Sequence, residues 1–143
     1  MKKISVIYWS GTGHTEKMAQ ALVEGIEKEG SEAKLLQVSG ASLDDVKNAD
    51  AVAFGCPAMG AEELEEEEMR PFIDQSKEVI RGKKTLLFGS YEWAEGQWMK
   101  DWAEEMKEAG ADLLEAEGFI AYDDPDEDAL DDLRMLGKDL ARA

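Results

Sequence analysis

A turn rich in glycine and hydroxyl side chains separates the first apolar run of the chain from the first amphipathic segment. Its sequence is Ser10-Gly11-Thr12-Gly13-His14-Thr15. A turn of this kind that leads into a helix is typical of an anion site, because free backbone N–H groups, hydroxyls and the positive end of the helix dipole converge there. A turn that only shapes the backbone, with no ligand, is the alternative interpretation.

Two common phosphate-binding patterns do not fit this turn. The Walker pattern needs Gly-Lys followed by Ser or Thr, and no such tripeptide follows. The dinucleotide fingerprint begins at Gly11 but has Glu16 in place of its third glycine, and Val38-Ser39-Gly40 ends the second apolar run without the acid that binds a ribose. The pattern that remains is a set of three hydroxyl side chains with no required cation: Ser10, Thr12 and Thr15.

Two later segments could hold a flat apolar ligand beside this anion site. One follows the third apolar run and contains Met59, a residue that covers flat surfaces but also fills gaps in cores. The other follows the fourth run and carries Tyr91, Trp93 and Trp98; aromatic side chains in a loop at a ligand edge are less easily explained as core. The three segments fit a planar ring between Met59 and an aromatic side chain, with its phosphate in the first turn.

Apolar runs that alternate with amphipathic segments predict a three-layer α/β fold. Because the runs are mainly apolar, we expect buried parallel strands with helices on both faces of the sheet. Strands are predicted at five runs, of which Gly118 could interrupt the last: Ile4–Trp9, Ala33–Val38, Ala51–Cys56, Thr85–Phe88 and Leu113–Tyr122. Ligands of such sheets bind beyond the carboxyl ends of the strands, which is where the three segments lie.

Helical spacing of apolar residues predicts the elements between the strands. The first helix follows Thr15 and stops near Gly30, a short one covers Ser42–Lys47, and the third follows Pro71 with Phe72, Ile73, Val79 and Ile80 as its marks. The fourth contains Met99, Trp102, Ala103 and Met106 and is closed by Gly110. The last is predicted to begin with Asp124 as N-cap, Pro125 at the first helical position and Glu127 at the third.

The composition limits the classes of protein to be considered. The 143 residues suit one domain over the whole chain, 1–143, and 16 basic against 33 acidic residues give a net charge of −17. Such a charge argues against nucleic acid and anionic membranes as partners. One cysteine, Cys56, and one histidine, His14, exclude a disulfide framework and a multi-histidine metal site. The short apolar stretch after Lys3 resembles neither a signal peptide nor a membrane span, so a cytoplasmic location is expected.

Three motifs, in this order and at these spacings, resemble the short-chain flavodoxins of anaerobic bacteria: W-S-G-T-G-H-T-E, G-C-P-A-M-G and F-G-S-Y-x-W-x-x-G-x-W. The similarity covers essentially the whole chain, and no long insertion splits the last strand. The resemblance implies a doubly wound, five-stranded parallel sheet of order 2-1-3-4-5. Flavodoxins are themselves a standard example of this fold, with FMN bound where the strand order reverses.

The resemblance also implies a function and roles for single residues. The function is that of a low-potential one-electron carrier with non-covalently bound FMN, which shuttles between reductases and acceptor enzymes in the manner of ferredoxin. Met59 would cover the inner face of the flavin ring and Trp93 the outer face, Gly60 would turn its carbonyl towards N5 on reduction, and Glu62 would contact N3. The implied cofactor-binding residues are Ser10, Gly11, Thr12, Gly13, His14, Thr15, Pro57, Ala58, Met59, Gly60, Ala61, Glu62, Ser90, Tyr91, Glu92, Trp93 and Ala94. No catalytic residue and no metal ligand are implied.

The chain departs from the family pattern at three positions that bear on FMN affinity and reduction potential. Relatives usually carry Asn in place of His14 and commonly carry Gly in place of Glu92 and Ala94. Aromatic and acidic surroundings disfavour a second negative charge on the ring, so the anionic hydroquinone is expected to form only at low potential. The neutral semiquinone is expected to accumulate because its N5–H gains a carbonyl acceptor. An FMN-dependent quinone or nitro reductase on the same fold remains the alternative. A phosphoacceptor receiver domain is disfavoured because Trp9 and Ser10 stand where its acidic residues belong.

An acidic run follows the third predicted strand. Six glutamates lie within seven residues: Glu62, Glu63, Glu65, Glu66, Glu67 and Glu68. Two interpretations stay open, a merely solvated face and a rim on which basic patches of redox partner proteins dock. Cys56 is expected to be a small buried hydrophobe of the third strand. We expect the protein to be a monomer.

Overall fold

The computed structural model describes residues 2–11, 13–58, 64–91 and 96–142. Within these ranges the strands are β1 (Lys3–Tyr8), β2 (Glu32–Gln37), β3 (Ala51–Gly55), β4 (Lys84–Tyr91), β5 (Asp112–Leu113) and β6 (Phe119–Tyr122). The helices are α1 (His14–Lys28), α2 (Leu43–Lys47), α3 (Met69–Ser76), α4 (Gln97–Glu108) and α5 (Glu127–Arg142), and a 3₁₀ turn covers Val38–Gly40. None of the helices described is long and apolar enough to cross a bilayer.

All strand pairs run parallel, and the order is β2-β1-β3-β4-β5, which confirms the doubly wound order 2-1-3-4-5. The fifth position of the sheet is shared by two short strands. β5 pairs with the start of β4, and β6 pairs with its end, from Phe88 to Tyr91. Gly118, in the left-handed conformation with φ 75°, precedes β6, so the predicted interruption of the last strand is confirmed.

The two faces of the sheet bury two separate apolar clusters. Residues alternate between them along β1, with Ile4 and Val6 on one face and Ile7 on the other, as the two-residue period of a strand requires. The first cluster joins the sheet to α1 and α5, and the second joins it to α3 and α4. The result is the expected three-layer arrangement.

Two glycines allow α1 and α5 to approach each other closely. A Cβ built at Gly25 would collide with the backbone oxygen of Arg134, and one built at Gly137 would collide with the backbone oxygen of Leu22. Here the absence of a side chain serves packing, because both residues lie inside helices where glycine is otherwise unfavourable.

Two helix boundaries differ from the predictions. α5 begins at Glu127, and Asp126 caps it, with Oδ1 accepting from the backbone N–H of Ala129 at 2.9 Å. The predicted N-cap at Asp124 is wrong because the N–H of Asp123 still donates to Tyr91 of the sheet. The residues after Asp123 are therefore needed to turn the chain from β6 into α5. α3 ends at Ser76; Val79 and Ile80, predicted to lie within it, follow in a turn and pack as core.

Candidate cofactor site

The three predicted loops leave the same edge of the sheet side by side. The hydrogen-bond ladder continues past the strand ends: the N–H of Trp9 donates to the oxygen of Gly55 at 2.9 Å, and that of Ala58 donates to Ser90 at 3.0 Å. Because β1, β3 and β4 are adjacent and parallel, their carboxyl ends meet at one edge. The structure therefore brings the turn after β1 and the segment beginning at Pro57 next to the end of β4.

The first turn of α1 presents backbone N–H and hydroxyl donors at the predicted anion site. Gly13 is the N-cap, and its φ of 95° is a conformation that glycine adopts without strain. No side chain of the described residues caps this helix, so the N–H groups of its first turn are free to bind an anion. The N–H of Gly13 donates to Ser10 Oγ at 3.0 Å, which leaves the Ser10 hydroxyl proton available as a further donor.

A buried hydroxyl pair joins this turn to the end of β4. Thr15 Oγ1 and Ser90 Oγ are 3.3 Å apart, and the two residues are 1% and 4% exposed. The pair connects two of the three loops that the sequence motifs identify. Thr15 and Ser90 thus lie together, as the predicted site requires.

Tyr91, the last described residue of β4, lies between two aromatic rings. Its ring centroid is 6.1 Å from that of Trp98 and 5.4 Å from that of Tyr122. Trp98 is only 2% exposed and belongs to the core cluster on the α3–α4 face, whereas Tyr122 is 63% exposed. Trp98 is therefore a core residue that supports Tyr91 from below, and Tyr122 covers it from the surface.

Two basic side chains near the start of α1, those of His14 and Lys17, each lie beside an acidic residue. His14 Nδ1 lies 3.9 Å from Asp123 Oδ1, and Lys17 Nζ lies 2.8 Å from Asp124 Oδ1. The hydrogen bond from Lys17 lowers the pKa of Asp124. An anion at the helix start would therefore be held mainly by N–H and hydroxyl groups. Asp123 and Asp124 are not among the predicted site residues, although they follow β6 and thus obey the same rule that singled out the residues after the first, third and fourth strands.

Tyr8 lies beneath the same turn, at the end of β1. Burial, and next the negative charge of Glu16 and a hydrogen bond to it, raise the pKa of Tyr8. The hydrogen bond holds the Glu16 carboxylate against the phenol of Tyr8. A carboxylate in the first turn of α1 would otherwise compete with a bound anion for the helix donors.

Glu65, within the acidic run, is buried, and its carboxylate accepts hydrogen bonds from the turn that leads into α3 and from the first residue of that helix. Its Oε1 accepts from the N–H groups of Glu68 at 2.7 Å and Met69 at 3.0 Å, and its Oε2 accepts from Glu67 at 2.9 Å. Burial raises the pKa of this carboxyl, but the three N–H donors together outweigh burial and the net pKa is lowered. For Glu65 both interpretations, solvated face and docking rim, are wrong, since its carboxylate points to backbone. Glu66, Glu67 and Glu68 are exposed, and Glu62 and Glu63 lie outside the described residues.

Cys56 is fully buried at the end of β3, as expected of a small hydrophobe. Burial is the main cause that raises the pKa of its thiol to about 12. The backbone N–H of Glu65 lies 3.5 Å from Sγ. The thiol is therefore neutral and out of reach of solvent.

The described part of the predicted site lies along one edge of the sheet: Ser10, Gly11, Gly13, His14, Thr15, Pro57, Ala58, Ser90 and Tyr91. The remaining predicted residues lie outside the described ranges: Thr12, Met59, Gly60, Ala61, Glu62, Glu92, Trp93 and Ala94. The ring contacts expected of Met59, Gly60 and Trp93 stay predictions for that reason.

Comparison with known proteins gives a consistent result. The family model described as Flavodoxin matches residues 6–136. A flavodoxin of Clostridium beijerinckii is 43% identical over 138 residues, which cover 96% of this chain and 99% of that protein. A flavodoxin of Megasphaera elsdenii is 38% identical over 111 residues, covering 78% and 81%. The solution structure of the two-electron reduced Megasphaera elsdenii flavodoxin superposes with a TM-score of 0.87 at 34% identity and covers 98% of this chain and 99% of that one.

The fold and the edge site define a doubly wound flavoprotein that transfers electrons and is not an enzyme. The chain belongs to the flavodoxin family and is of the short-chain type. Its cofactor is FMN, and it acts with redox partner proteins. The residues present suit this cofactor, because the first turn of α1, which no side chain of the described residues caps, and the Ser10 hydroxyl offer donors to a phosphate. The reductase alternative is not favoured, since these relatives are named flavodoxins.

Proposed function

We propose that this protein is a low-potential one-electron carrier that shuttles between reductases and acceptor enzymes in the manner of ferredoxin. The observation that supports the proposal is a set of uncharged hydrogen-bond donors, the N–H and hydroxyl groups at the start of α1, in a strongly acidic protein. The net charge is −17, and the His14 and Lys17 side chains at the start of α1 each lie beside an acid, His14 beside Asp123 and Lys17 beside Asp124. FMN, when bound, supplies a ring that takes up one or two electrons. A further negative charge near so many carboxylates is unfavourable, which lowers the potential for the second electron.

The chain's own residues bind and orient the cofactor in this proposal. The phosphate is bound by the Ser10, Thr12 and Thr15 hydroxyls and by backbone N–H groups from Gly11 to the first turn of α1. The buried contact between Thr15 and Ser90 fixes this turn relative to β4. We assign the ring to the residues named by the family motifs, with Tyr91 beside it and the following residues around it: Pro57, Ala58, Met59, Gly60, Ala61, Glu62, Glu92, Trp93 and Ala94.

The partners we propose are redox proteins with basic docking patches. We also propose that this protein is a monomer and is located in the cytoplasm. Glu66, Glu67 and Glu68 are exposed and follow directly on the segment between β3 and α3 that carries part of the motif. Opposite charge across an interface accelerates association and makes the rate sensitive to salt. Glu65 takes no part in docking, because its carboxylate is bound by backbone.

A coupled assay tests the proposal. NADPH, a basic flavin-containing reductase and cytochrome c are mixed with the FMN-loaded protein, and reduction of the cytochrome is followed. We expect the rate to rise with the concentration of this protein and to fall steeply with salt, and we expect no steady oxidation of NADPH by this protein alone. Steady oxidation of NADPH with a quinone, in the absence of any reductase, would make it a reductase instead.

Matched variants test the docking role of the acidic run. Replacing Glu66, Glu67 and Glu68 together by Gln should slow the coupled reaction at low salt and flatten its salt dependence. The control replaces three exposed glutamates of α4 and of the turn after α3, towards the opposite edge of the sheet: Glu78, Glu104 and Glu108. Both variants lose three charges, so equal effects would mean that only the net charge matters and that the run is not a docking rim.

A further inference from the structure

The corner that follows β6 contacts both ends of the cofactor site. The backbone N–H of Asp123 donates to the oxygen of Tyr91 at 2.7 Å, which is the last rung between β6 and β4. The Asp123 carboxylate lies 3.9 Å from His14 Nδ1, at the start of α1. The preceding residue, Tyr122, packs its ring edge-on against Tyr91. Asp123 thus contacts the end of β4 through its backbone and the start of α1 through its carboxylate.

The backbone of Asp123 is unusual in a way that makes both contacts possible. Its φ is 53°, and among the described residues it is the one non-glycine residue with positive φ. Aspartate is among the few residues that adopt the left-handed region at modest cost, whereas a β-branched residue there is a true outlier. The left-handed turn ends the strand immediately after the rung to Tyr91 and leaves the Asp123 carboxylate beside α1. An extended residue at 123 would carry the chain onward along the sheet.

We propose that Asp123 is a positioning residue of the FMN site, whose left-handed backbone ends β6 at the rung to Tyr91 and so fixes Tyr91 at the edge of that site. The proposal rests on the proposed assignment of His14 and Tyr91 to that site. The backbone carries the effect in this account, and the carboxylate contact with His14 is its secondary, exposed part. Asp124, the next residue, contacts α1 through Lys17 and not through the rung to Tyr91, so it serves as the control.

Substitutions that separate backbone from carboxylate test the proposal on the FMN-loaded protein. Asp123→Val disfavours the left-handed backbone and should weaken FMN binding at least tenfold. It should also raise the potential of the second electron by the equivalent of a tenfold ratio, about 59 mV for one electron, because water then reaches the ring beside Tyr91. Asp123→Gly keeps the conformation and loses the carboxylate, and its FMN affinity should stay within threefold of the wild type, with the potential unchanged. Asp124→Asn should behave like Asp123→Gly.

The outcomes separate this proposal from the one on which it rests. A wild-type protein that takes up no FMN would remove the proposed site itself. A wild type that binds FMN, together with an Asp123→Val variant unchanged in affinity and potential, would overturn the role of Asp123 alone. An Asp123→Gly variant as impaired as Asp123→Val would also overturn it, because the carboxylate would then be the active part. Should the valine variant fail to fold by circular dichroism, Asp123→Ala must still weaken FMN binding more than Asp123→Gly.

Discussion

At the scale of single residues, the role of an acid depends on which backbone groups face it. Glu65 stands in a run of glutamates, yet its carboxylate receives three N–H donors and is buried, while the neighbouring Glu66 is exposed. The start of a helix leaves several N–H groups without partners inside the helix, and a carboxylate satisfies them well. Glu65 therefore contributes to the stability of α3, and its neighbours remain available to solvent.

Replacing Glu65 by Ala should lower the free energy of unfolding by about 1–2 kcal/mol, the usual cost of a lost helix cap. Glu66→Ala, at an exposed neighbour, should change it by less than about 0.5 kcal/mol. The pKa of Glu65 is lower in the folded state, so its contribution is complete above the carboxyl's unfolded pKa and is lost as the pH falls through the folded pKa. Urea unfolding at neutral and at acidic pH measures both effects. A difference between Glu65→Ala and wild type that does not shrink in acid would contradict an ionised cap.

Cys56 should be inert towards thiol reagents in the folded protein. Burial raises the pKa of its thiol to about 12, and the reactive thiolate is therefore scarce at pH 8. An aromatic disulfide reagent should react with the urea-unfolded chain at the rate of a free thiol. With the native protein it should react only as fast as unfolding exposes Cys56. Since the chain has one cysteine, the signal has one source. Rapid, complete reaction of the native protein would show that this residue is accessible.

At the scale of elements, contact between α1 and α5 depends on two small residues. Gly25→Ala should lower the free energy of unfolding by about 1–3 kcal/mol, because the new Cβ meets the backbone oxygen of Arg134. Alanine is the better helix former by about 1 kcal/mol, so a net loss of stability would identify the collision as its cause. Gly40→Ala is the control, since a Cβ there meets nothing within 4 Å. Thermal unfolding of both variants provides the comparison, and a stabilised Gly25→Ala protein would refute close packing at this point.

The elements could largely be predicted from the sequence because their apolar patterns are strong. The predominantly apolar runs of β1 and β3 and the helical stripe of α1 each favour one interpretation, and Gly118 indicated the break before β6. The N-cap of α5 could not be placed from sequence, because Asp124 and Asp126 are both good caps and the choice depends on where the sheet releases Asp123. For the candidate site, motifs named the residues after β1, β3 and β4. The motifs did not identify Glu65 or Asp123, because the roles of these residues depend on the local turns that orient the Glu65 carboxylate and the Asp123 backbone.

At the scale of the whole molecule, a strongly acidic protein binds a cofactor whose phosphate group carries about 1.5–2 negative charges at neutral pH. If neutral donors hold that phosphate, the net negative charge of the protein repels the phosphate and weakens binding. Salt screens this repulsion. FMN should therefore bind more tightly as ionic strength rises from about 0.01 M to about 0.1 M, over which the screening length falls from about 30 Å to about 10 Å. Riboflavin, which lacks the phosphate, should show little change in a parallel fluorescence titration. An FMN affinity that falls with salt would mean that a cation holds the phosphate.

The central claim is that the fold binds FMN so that electrons pass one at a time at low potential. A potentiometric titration of the FMN-loaded protein, followed by absorbance through complete reduction, tests this most directly. The account predicts two separated one-electron steps, a one-electron-reduced form that accumulates between them, and a second step well below that of free FMN. A single two-electron step at the potential of free FMN, with no form accumulating between the oxidised and fully reduced protein, would contradict it.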